Sequence, residues 1–242
     1  MMLRGIISFI ILVLVWHIFV VSFDMPSYIL PSPALVLKSL WQHAGLILYQ
    51  SVPTLLEACA GFILSIFLGM FWALLLVYFQ PIRSWFLPIL LISQALPTFA
   101  VAPLIILWFG YGLASKVMII CLMLFFPITS SFYDGLSGTL KVHLDLAQIM
   151  NASKLQLLLR IRLPAALPSL GNGLRIAATF APLGAIIGEW VGSTRGLGFL
   201  ILSTNSRMQI DLMFAALFSL IILTLSFYFL VDLLIKFITP KL

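Results

Sequence analysis

Six apolar runs divide this sequence of 242 residues, and polar intervals of unequal length separate them. A helix needs roughly 20 residues to cross a bilayer, and each run comes near that length. We therefore predict six transmembrane helices, at residues 5–23, 58–79, 85–109, 117–133, 170–187 and 212–231. A proline-rich stretch follows the first run and leads into residues 34–43, whose helical spacing of apolar positions predicts an interfacial helix on the outer face. The longest polar intervals are residues 134–168 and 189–211.

Composition supports a membrane protein of all-α class. The chain has 63% hydrophobic and only 8% charged residues, whereas about a quarter of residues are charged in soluble globular domains. The chain is best read as one polytopic transmembrane domain, residues 1–242, with no room for a separate catalytic domain, so we predict no enzyme activity. Cys59 and Cys121 lie inside apolar runs and are expected to pack as small hydrophobic residues. The absence of His and carboxylate clusters with ligand spacing predicts no metal site.

The net charge of +6 is interpreted as topology and lipid contact, not as nucleic-acid binding. Cytoplasmic termini place nine of the 13 Lys and Arg residues on the inner side, in agreement with the positive-inside rule. These are Arg4, Arg83, Lys141, Lys154, Arg160, Arg162, Arg175, Lys236 and Lys241. The outer side then holds Lys38, Lys116, Arg195 and Arg207. This orientation puts the loop at 134–168 in the cytoplasm.

Two short helices are predicted within that loop, at residues 144–150 and 154–163. Asn151 stands at the break between them, and Asn tolerates the left-handed backbone that a sharp break often needs. Ser153 and Gln156 have the spacing of a capping box at the start of the second helix. Pro164 is expected to end that helix and Pro168 to open the next span.

The two short helices carry apolar residues that are predicted to project into water as an elbow: Leu144, Leu146, Ile149, Leu155, Leu158 and Ile161. Exposed apolar surface of this kind usually marks a protein partner. The alternative is a helix pair folded back on the bilayer, with Lys154, Arg160 and Arg162 bound to anionic lipid.

The loop resembles a known motif. The segment from Asp145-Leu-Ala-Gln-Ile-Met-Asn151, followed by nine residues and then Ile161-Arg-Leu-Pro164, has the spacing of the EAA loop of permease subunits in bacterial ABC importers. Asp145 stands where that family usually has Glu, and Asn151 where it usually has Gly. Other segments are similar to its nitrate, taurine, sulfonate and thiamine-precursor branch: Leu30-Pro-Ser-Pro, Ala95-Leu-Pro-Thr-Phe-Ala-Val-Ala-Pro-Leu104, Trp108-Phe-Gly-Tyr-Gly112, Phe125-Phe-Pro-Ile128, and Gly188-Glu-Trp-Val-Gly-Ser193 with Gly196-Leu-Gly198.

The resemblance implies a type I ABC importer transmembrane domain in a bacterial inner membrane. It implies three protein partners: a second copy of the chain, an extracytoplasmic binding protein and an ATPase subunit. ATP and Mg²⁺ would bind on the ATPase, and this chain, which has no phosphate-binding P-loop, would bind no cofactor. The residues expected to couple the ATPase to the membrane helices are Asp145, Ala147, Asn151, Ile161, Leu163 and Pro164.

Polar and proline residues inside the spans are the candidates for a solute pathway, because polar groups in hydrocarbon are disfavoured unless they face the bundle interior or water. The candidates are Gln94, Pro97, Thr98, Thr179 and Glu189. Packing is the alternative for the first four. Glu189 is either part of an outer gate or docking surface, or a solvated residue beside a Trp190 anchor. Gly184 and Gly188 form a small-residue face that favours close helix packing.

Two other functional classes stay open at this stage. A secondary transporter could use Glu57 or Glu189 for proton coupling, and a membrane scaffold would need no polar route. For an importer, the segment at residues 205–216 together with Gly188-Glu-Trp-Val-Gly-Ser193 is most similar to permeases associated with pyrimidine thiamine precursors. Taurine, alkanesulfonates and nitrate remain alternative substrates.

Overall fold

The computed structural model describes residues 2–238, without the side chains at positions 2–6, 80, 148 and 238, and every regular element in that part is helical. Lys241, one of the cations behind the predicted topology, lies outside the described residues, as does the side chain of Arg4. The helices are α1 (Met2–Ser22), α2 (Pro33–Gln42), α3 (Ala44–Tyr78), α4 (Gln80–Ala95), α5 (Thr98–Phe109), α6 (Leu113–Ser137), α7 (Lys141–Ile149), α8 (Lys154–Leu157), α9 (Leu163–Gly192), α10 (Leu197–Ser206) and α11 (Ile210–Ile238).

The all-helical membrane class is confirmed. In the described part of the chain four helices are long and apolar enough to cross a bilayer: α3, α6, α11 and the continuous helix Lys154–Gly192. The pair α4 and α5 is sharply bent and makes a fifth span if it crosses as a unit, while the apolar part of α1, Ile7–Ser22, is shorter. The count of six therefore stays a prediction. The helix predicted at residues 34–43 matches α2, whose first turn is capped by the Ser32 side chain, and its place at the outer membrane interface stays a prediction.

The core lies where α6 packs between α3 and α9. Small residues allow these helices to approach closely. A methyl group at Gly61 of α3 would collide with Ile120 of α6, and Gly184 of α9 faces the same isoleucine. Gly188 lies against Lys116, one turn earlier on α6. Gly184 and Gly188 therefore form the close-packing face that their spacing predicts.

The predicted third span is wrong as a single straight helix. It breaks at Leu96 and Pro97 into α4 and α5, whose axes differ by 102°. A residue that precedes proline is pushed away from the helical region, and Leu96 accordingly has an extended backbone. The bend places the polar residues around Pro97 at a corner of the chain instead of along one span.

Pro164 does not end the second helix of the elbow. Leu158–Arg162 forms a π-helical turn that joins α8 to α9 without a break, and Pro164 and Pro168 both lie inside α9. The widened turn changes the hydrogen-bond register just before Pro164, at a position where its missing N–H is tolerated. The elbow and the following span are therefore one continuous helix.

Two further boundaries differ from those expected. Helix α3 begins at Ala44 instead of residue 58, because Gln50, Thr54 and Glu57 are buried against neighbouring helices and do not form a solvated loop. The interval 189–211 is not an open polar loop, since it contains α10, which is buried along Leu197, Leu200 and Ile201.

Candidate functional site

The elbow turns sharply at Asn151, as its sequence predicts. Asn151 has a φ of +55°, and the Ala152 amide donates back across the corner to the Ala147 carbonyl at 2.9 Å. The capping box is present in full. The backbone N–H of Gln156 donates to Ser153 Oγ at 3.3 Å, and the backbone N–H of Ser153 donates to Gln156 Oε1 at 2.9 Å. Local hydrogen bonds thus define the angle between α7 and the helix that begins at Lys154.

An apolar groove of about 620 Å³ lies on one side of the elbow. Ala147 and Ile161 both line it, so the structure brings together these two predicted coupling residues, which are distant in sequence. Around it Leu146, Ile149 and Met150 are exposed, with Met150 at 74%. Leu158 was predicted to share this face, but it is buried in the main core.

The other predicted coupling residues surround this groove without lining it. Asp145 and Asn151 are exposed on α7 and at the corner, Leu163 is half-buried, and Pro164 is exposed in the first turn of α9. These four residues therefore belong to the surface of the elbow and to its backbone, and they do not form the wall of the groove.

Three of the candidate pathway residues cluster at the bend between α4 and α5. Gln94 is exposed in the last turn of α4, Pro97 caps α5, and Thr98 is its half-buried first residue. Thr179 lies on α9, where its hydroxyl donates to the Ile176 carbonyl at 2.7 Å. Glu189 is ten residues further along the same helix, about 15 Å at 1.5 Å per residue. The structure therefore separates the five candidates into three places.

Glu189 is not a solvated residue at the end of a helix, so that alternative is wrong. Its exposed fraction is 1%, and both carboxylate oxygens accept hydrogen bonds. The Thr54 hydroxyl donates to Oε1 at 2.6 Å, and the Gly198 amide donates to Oε2 at 2.5 Å. A carboxylate at the start of α10 also interacts favourably with the positive end of that helix.

The start of α10 is held by side chains from two other helices, a set that we call the α10 clamp: Gln50, Thr54 and Glu189. The Gly196 amide donates to Gln50 Oε1 at 2.8 Å, and the Leu197 amide donates to Thr54 Oγ1 at 2.9 Å. Gly196 has a φ of +112°, and a methyl group there would collide with the Glu189 carboxylate. Three N–H groups at this helix end, those of Gly196, Leu197 and Gly198, therefore have acceptors inside the protein.

A buried ion pair lies beside the clamp. Lys116 of α6 donates to Glu57 of α3 at 2.5 Å and to the Ser193 hydroxyl at 2.9 Å. Both charged side chains are at least nine-tenths buried. The topology prediction places Lys116 on the outer side together with Lys38, Arg195 and Arg207. The structure shows that its side chain is buried in this ion pair, and the side of the membrane on which these four cations lie stays a prediction.

A second ionic cluster joins α9 to α11. Arg175 donates to Asp232 at 2.7 Å, and Lys236 contacts the other oxygen of the same carboxylate at 2.7 Å. Sequence reasoning missed both ionic clusters, because the pairs that join different helices, Glu57 with Lys116 and Arg175 with Asp232, are 59 and 57 residues apart. The available signal was an ionisable residue inside or next to an apolar run, as at Glu57 and Arg175.

The part of the chain that the structure describes contains no group of three or more His, Cys, Asp or Glu side chains that could hold a metal ion. The chemistry available at these places is ion pairing, helix-end capping and surface recognition.

Comparison with known proteins gives these features a context. The chain is 50% identical to a probable ABC transporter permease protein of Haemophilus influenzae, over 92% of this chain and 91% of the relative. It is 37% identical to the formylaminopyrimidine transport permease ThiX of Halalkalibacterium halodurans, over 89% and 86% of the two chains. Permeases named for riboflavin, aliphatic sulfonates and taurine are also relatives, at 36%, 27% and 30% identity.

The fold is similar to that of a subunit in an inward-facing structure of the MetNI methionine ABC transporter, with a TM-score of 0.66 at 20% identity, covering 78% of this chain and 96% of that one. The family model for the binding-protein-dependent transport system inner membrane component matches residues 65–242. The chain therefore belongs to this family of ABC transporter permease subunits.

Proposed function

We propose that this permease couples ATP hydrolysis on a separate subunit to uptake of a small solute, and that the elbow is the contact through which the coupling acts. The observation that carries this proposal is an exposed apolar elbow built rigidly onto a membrane span. Exposed Leu146, Ile149 and Met150 are unfavourable in water and suit a protein partner. Ala147 and Ile161 form the wall of the groove into which a side chain of that partner would insert.

The continuous helix from the elbow into the membrane supports a mechanical role. Lys154–Gly192 runs as one helix of 39 residues, so a displacement at its start is transmitted along the helix axis. Helix α9 packs against α6 and α3, so movement of the elbow would shift the core contacts at Gly184 and Ile120. Asp145, Asn151, Leu163 and Pro164 would shape the docking surface and its angle.

The rest of the assembly follows from the same proposal. A second copy of this chain would complete the pathway, an extracytoplasmic binding protein would deliver the solute, and the elbow and both termini would face the cytoplasm. ATP and Mg²⁺ would be held by the ATPase, and this chain would bind no cofactor. The best placed candidates for the solute route lie at the α4–α5 bend: Gln94, Pro97 and Thr98. Thr179, on α9, is a further candidate.

For the substrate, we propose a pyrimidine precursor of thiamine. The support is the 37% identity to a permease named for formylaminopyrimidine. Taurine, alkanesulfonates and nitrate form the alternative, which the relatives named for sulfonates and taurine support.

Uptake by the reconstituted complex tests the coupling role. The chain would be tagged, purified from its native membrane with its ATPase, and reconstituted in liposomes with binding protein and labelled hydroxymethylpyrimidine or taurine. We expect ATP-dependent uptake, and at least a tenfold loss in the double variant Asp145→Ala and Asn151→Ala with ATP hydrolysis retained. Lys141→Ala, an exposed change on α7 outside the motif, is the matched control. Unchanged uptake in the double variant would contradict the coupling role.

The same vesicles separate the importer from a secondary transporter. Uptake that follows an imposed pH gradient and ignores ATP would refute the proposal. The structure gives this rival little support, because Glu57 is paired with Lys116 and both oxygens of Glu189 accept hydrogen bonds within the α10 clamp.

A further inference from the structure

Two adjoining depressions lie at the end of the α3–α4 hairpin and share Pro81. The first, which we call the basic cleft, has a volume of about 510 Å³ and separates this hairpin from the elbow; Tyr78, Phe79, Lys154 and Arg162 are among the residues that line it. The second, the apolar groove of α4, has a volume of about 460 Å³ and runs along α3 and α4. The residues that line it include Trp72, Leu75, Ile82, Trp85, Phe86 and Ile89.

The two cations of the basic cleft, Lys154 and Arg162, have no anionic partner in the described part of the chain. Among the residues that the structure describes, no Asp or Glu lines the cleft, and no ion pair includes Lys154 or Arg162. Nε of Arg162 is buried and has no hydrogen-bond acceptor within the same part of the chain. Burying such a donor without an acceptor is unfavourable, and an arginine with a neighbouring lysine is a common arrangement for binding phosphate. An anion with several oxygens would satisfy both cations.

The apolar groove of α4 identifies which anion fits. Trp72 stacks on Phe86 with ring centroids 4.0 Å apart, and Trp85 beside them is 81% exposed. Trp side chains concentrate at the boundary between headgroups and hydrocarbon. The groove continues from the basic cleft at Pro81, so one molecule with a phosphate head and a hydrocarbon tail would occupy both depressions.

We propose that these depressions form a site for an anionic phospholipid, with its headgroup phosphate between Lys154 and Arg162 and one acyl chain in the apolar groove of α4. A free phosphate would satisfy the cations but leave the adjoining groove unexplained. The bound lipid would join the α3–α4 hairpin to the elbow. Its influence on ATP coupling rests on the proposed function, whereas the binding itself does not.

Quenching of Trp85 fluorescence by brominated lipid tests the site directly. The full chain would be placed in nanodiscs that contain brominated phosphatidylglycerol or brominated phosphatidylcholine, and the Trp85→Phe variant would isolate the signal of this residue. A basic residue beside an anionic lipid surface contributes about a fivefold preference, so two give up to about 25-fold. We expect a preference for phosphatidylglycerol of this order in the unmodified protein.

The double variant Lys154→Gln and Arg162→Gln should reduce that preference to about one. Lys141→Gln and Arg160→Gln, a matched pair of exposed elbow cations outside the basic cleft, should preserve it. Equal quenching by the two lipids in the unmodified protein would overturn the proposal, and this comparison remains decisive if the double variant does not insert.

Displacement of the lipid by inorganic phosphate, but not by chloride at the same ionic strength, would show a site for free anions instead. Loss of quenching when the ATPase binds would show that an acidic protein segment occupies the cleft, and would also overturn the proposal. Either failure leaves the uptake experiment unaffected, because uptake is measured without labelled lipid.

Discussion

Removal of one partner of the buried pair Glu57 and Lys116 is expected to destabilise the bundle strongly, while removal of both is expected to be nearly neutral. Replacing each residue by Met keeps the side-chain volume similar and removes the charge together with the hydrogen bonds that the charged group makes. Breaking a buried ion pair costs about 3–5 kcal/mol, because the remaining charge has no counter-ion in a medium of low dielectric constant. Replacing both partners by apolar residues of similar volume is often neutral or stabilising.

The surroundings rank the two single variants. In Glu57→Met the ammonium of Lys116 keeps Ser193 as a partner and interacts electrostatically with Glu189, so we expect the lower end of the range, about 3 kcal/mol. In Lys116→Met the Glu57 and Glu189 carboxylates remain near each other without a cation, so we expect about 4–5 kcal/mol. One oxygen of Glu57 has no hydrogen-bond partner even in the intact pair. The double variant should therefore recover to within about 1 kcal/mol of the unmodified protein.

Thermal unfolding of the purified chain in detergent would measure the series. At about 2–4 °C per kcal/mol for a chain of this size, Glu57→Met should lower the midpoint by roughly 6–12 °C and Lys116→Met by roughly 8–20 °C. Lys141→Met, the same change at an exposed lysine, should shift it by no more than about 2 °C. A double variant as unstable as Lys116→Met, or single variants that match the control, would refute this view of the pair.

Two backbone positions give further predictions. Gly196→Ala should cost about 2–5 kcal/mol in unfolding free energy, because Ala is strained at a φ of +112° and its methyl group collides with the Glu189 carboxylate. The control is Gly45→Ala, where a methyl group meets nothing within 4 Å, and in the same thermal assay it should be neutral or stabilising by up to about 1 kcal/mol. Equal effects of the two variants would contradict this reasoning. At the corner of the elbow, Asn151→Val should speed deuterium exchange of the Ala152 amide several-fold, because a β-branched residue disfavours a φ of +55°. Asn151→Gly should preserve the protection of this amide, since Gly adopts that φ freely. Slow exchange in both variants would show that the corner does not need the left-handed conformation.

The sequence alone determined the features that depend on local patterns. The length of the apolar runs and the scarcity of charge require a helical membrane protein, because lipid leaves backbone groups no partner outside the helix. The elbow was also predictable, since its capping box and the left-handed Asn151 involve hydrogen bonds and backbone angles within a few residues. The spacing from Asp145 to Pro164, together with the other similar segments between Leu30 and Gly198, indicated the family.

Tertiary structure decided which distant residues meet and where the helices bend. Glu57 and Lys116 are 59 residues apart, and Thr54 and Glu189 are 135 apart, so no local pattern pairs them. The same contacts made residues 44–57 part of α3 and buried α10 inside an interval that reads as polar. The chain bends sharply at Pro97, between α4 and α5. It does not bend at Pro164, because the π-helical turn Leu158–Arg162 precedes that proline. Local propensity is a short-range free energy, and the burial and pairing of polar groups depend on helices that come together only when the chain folds.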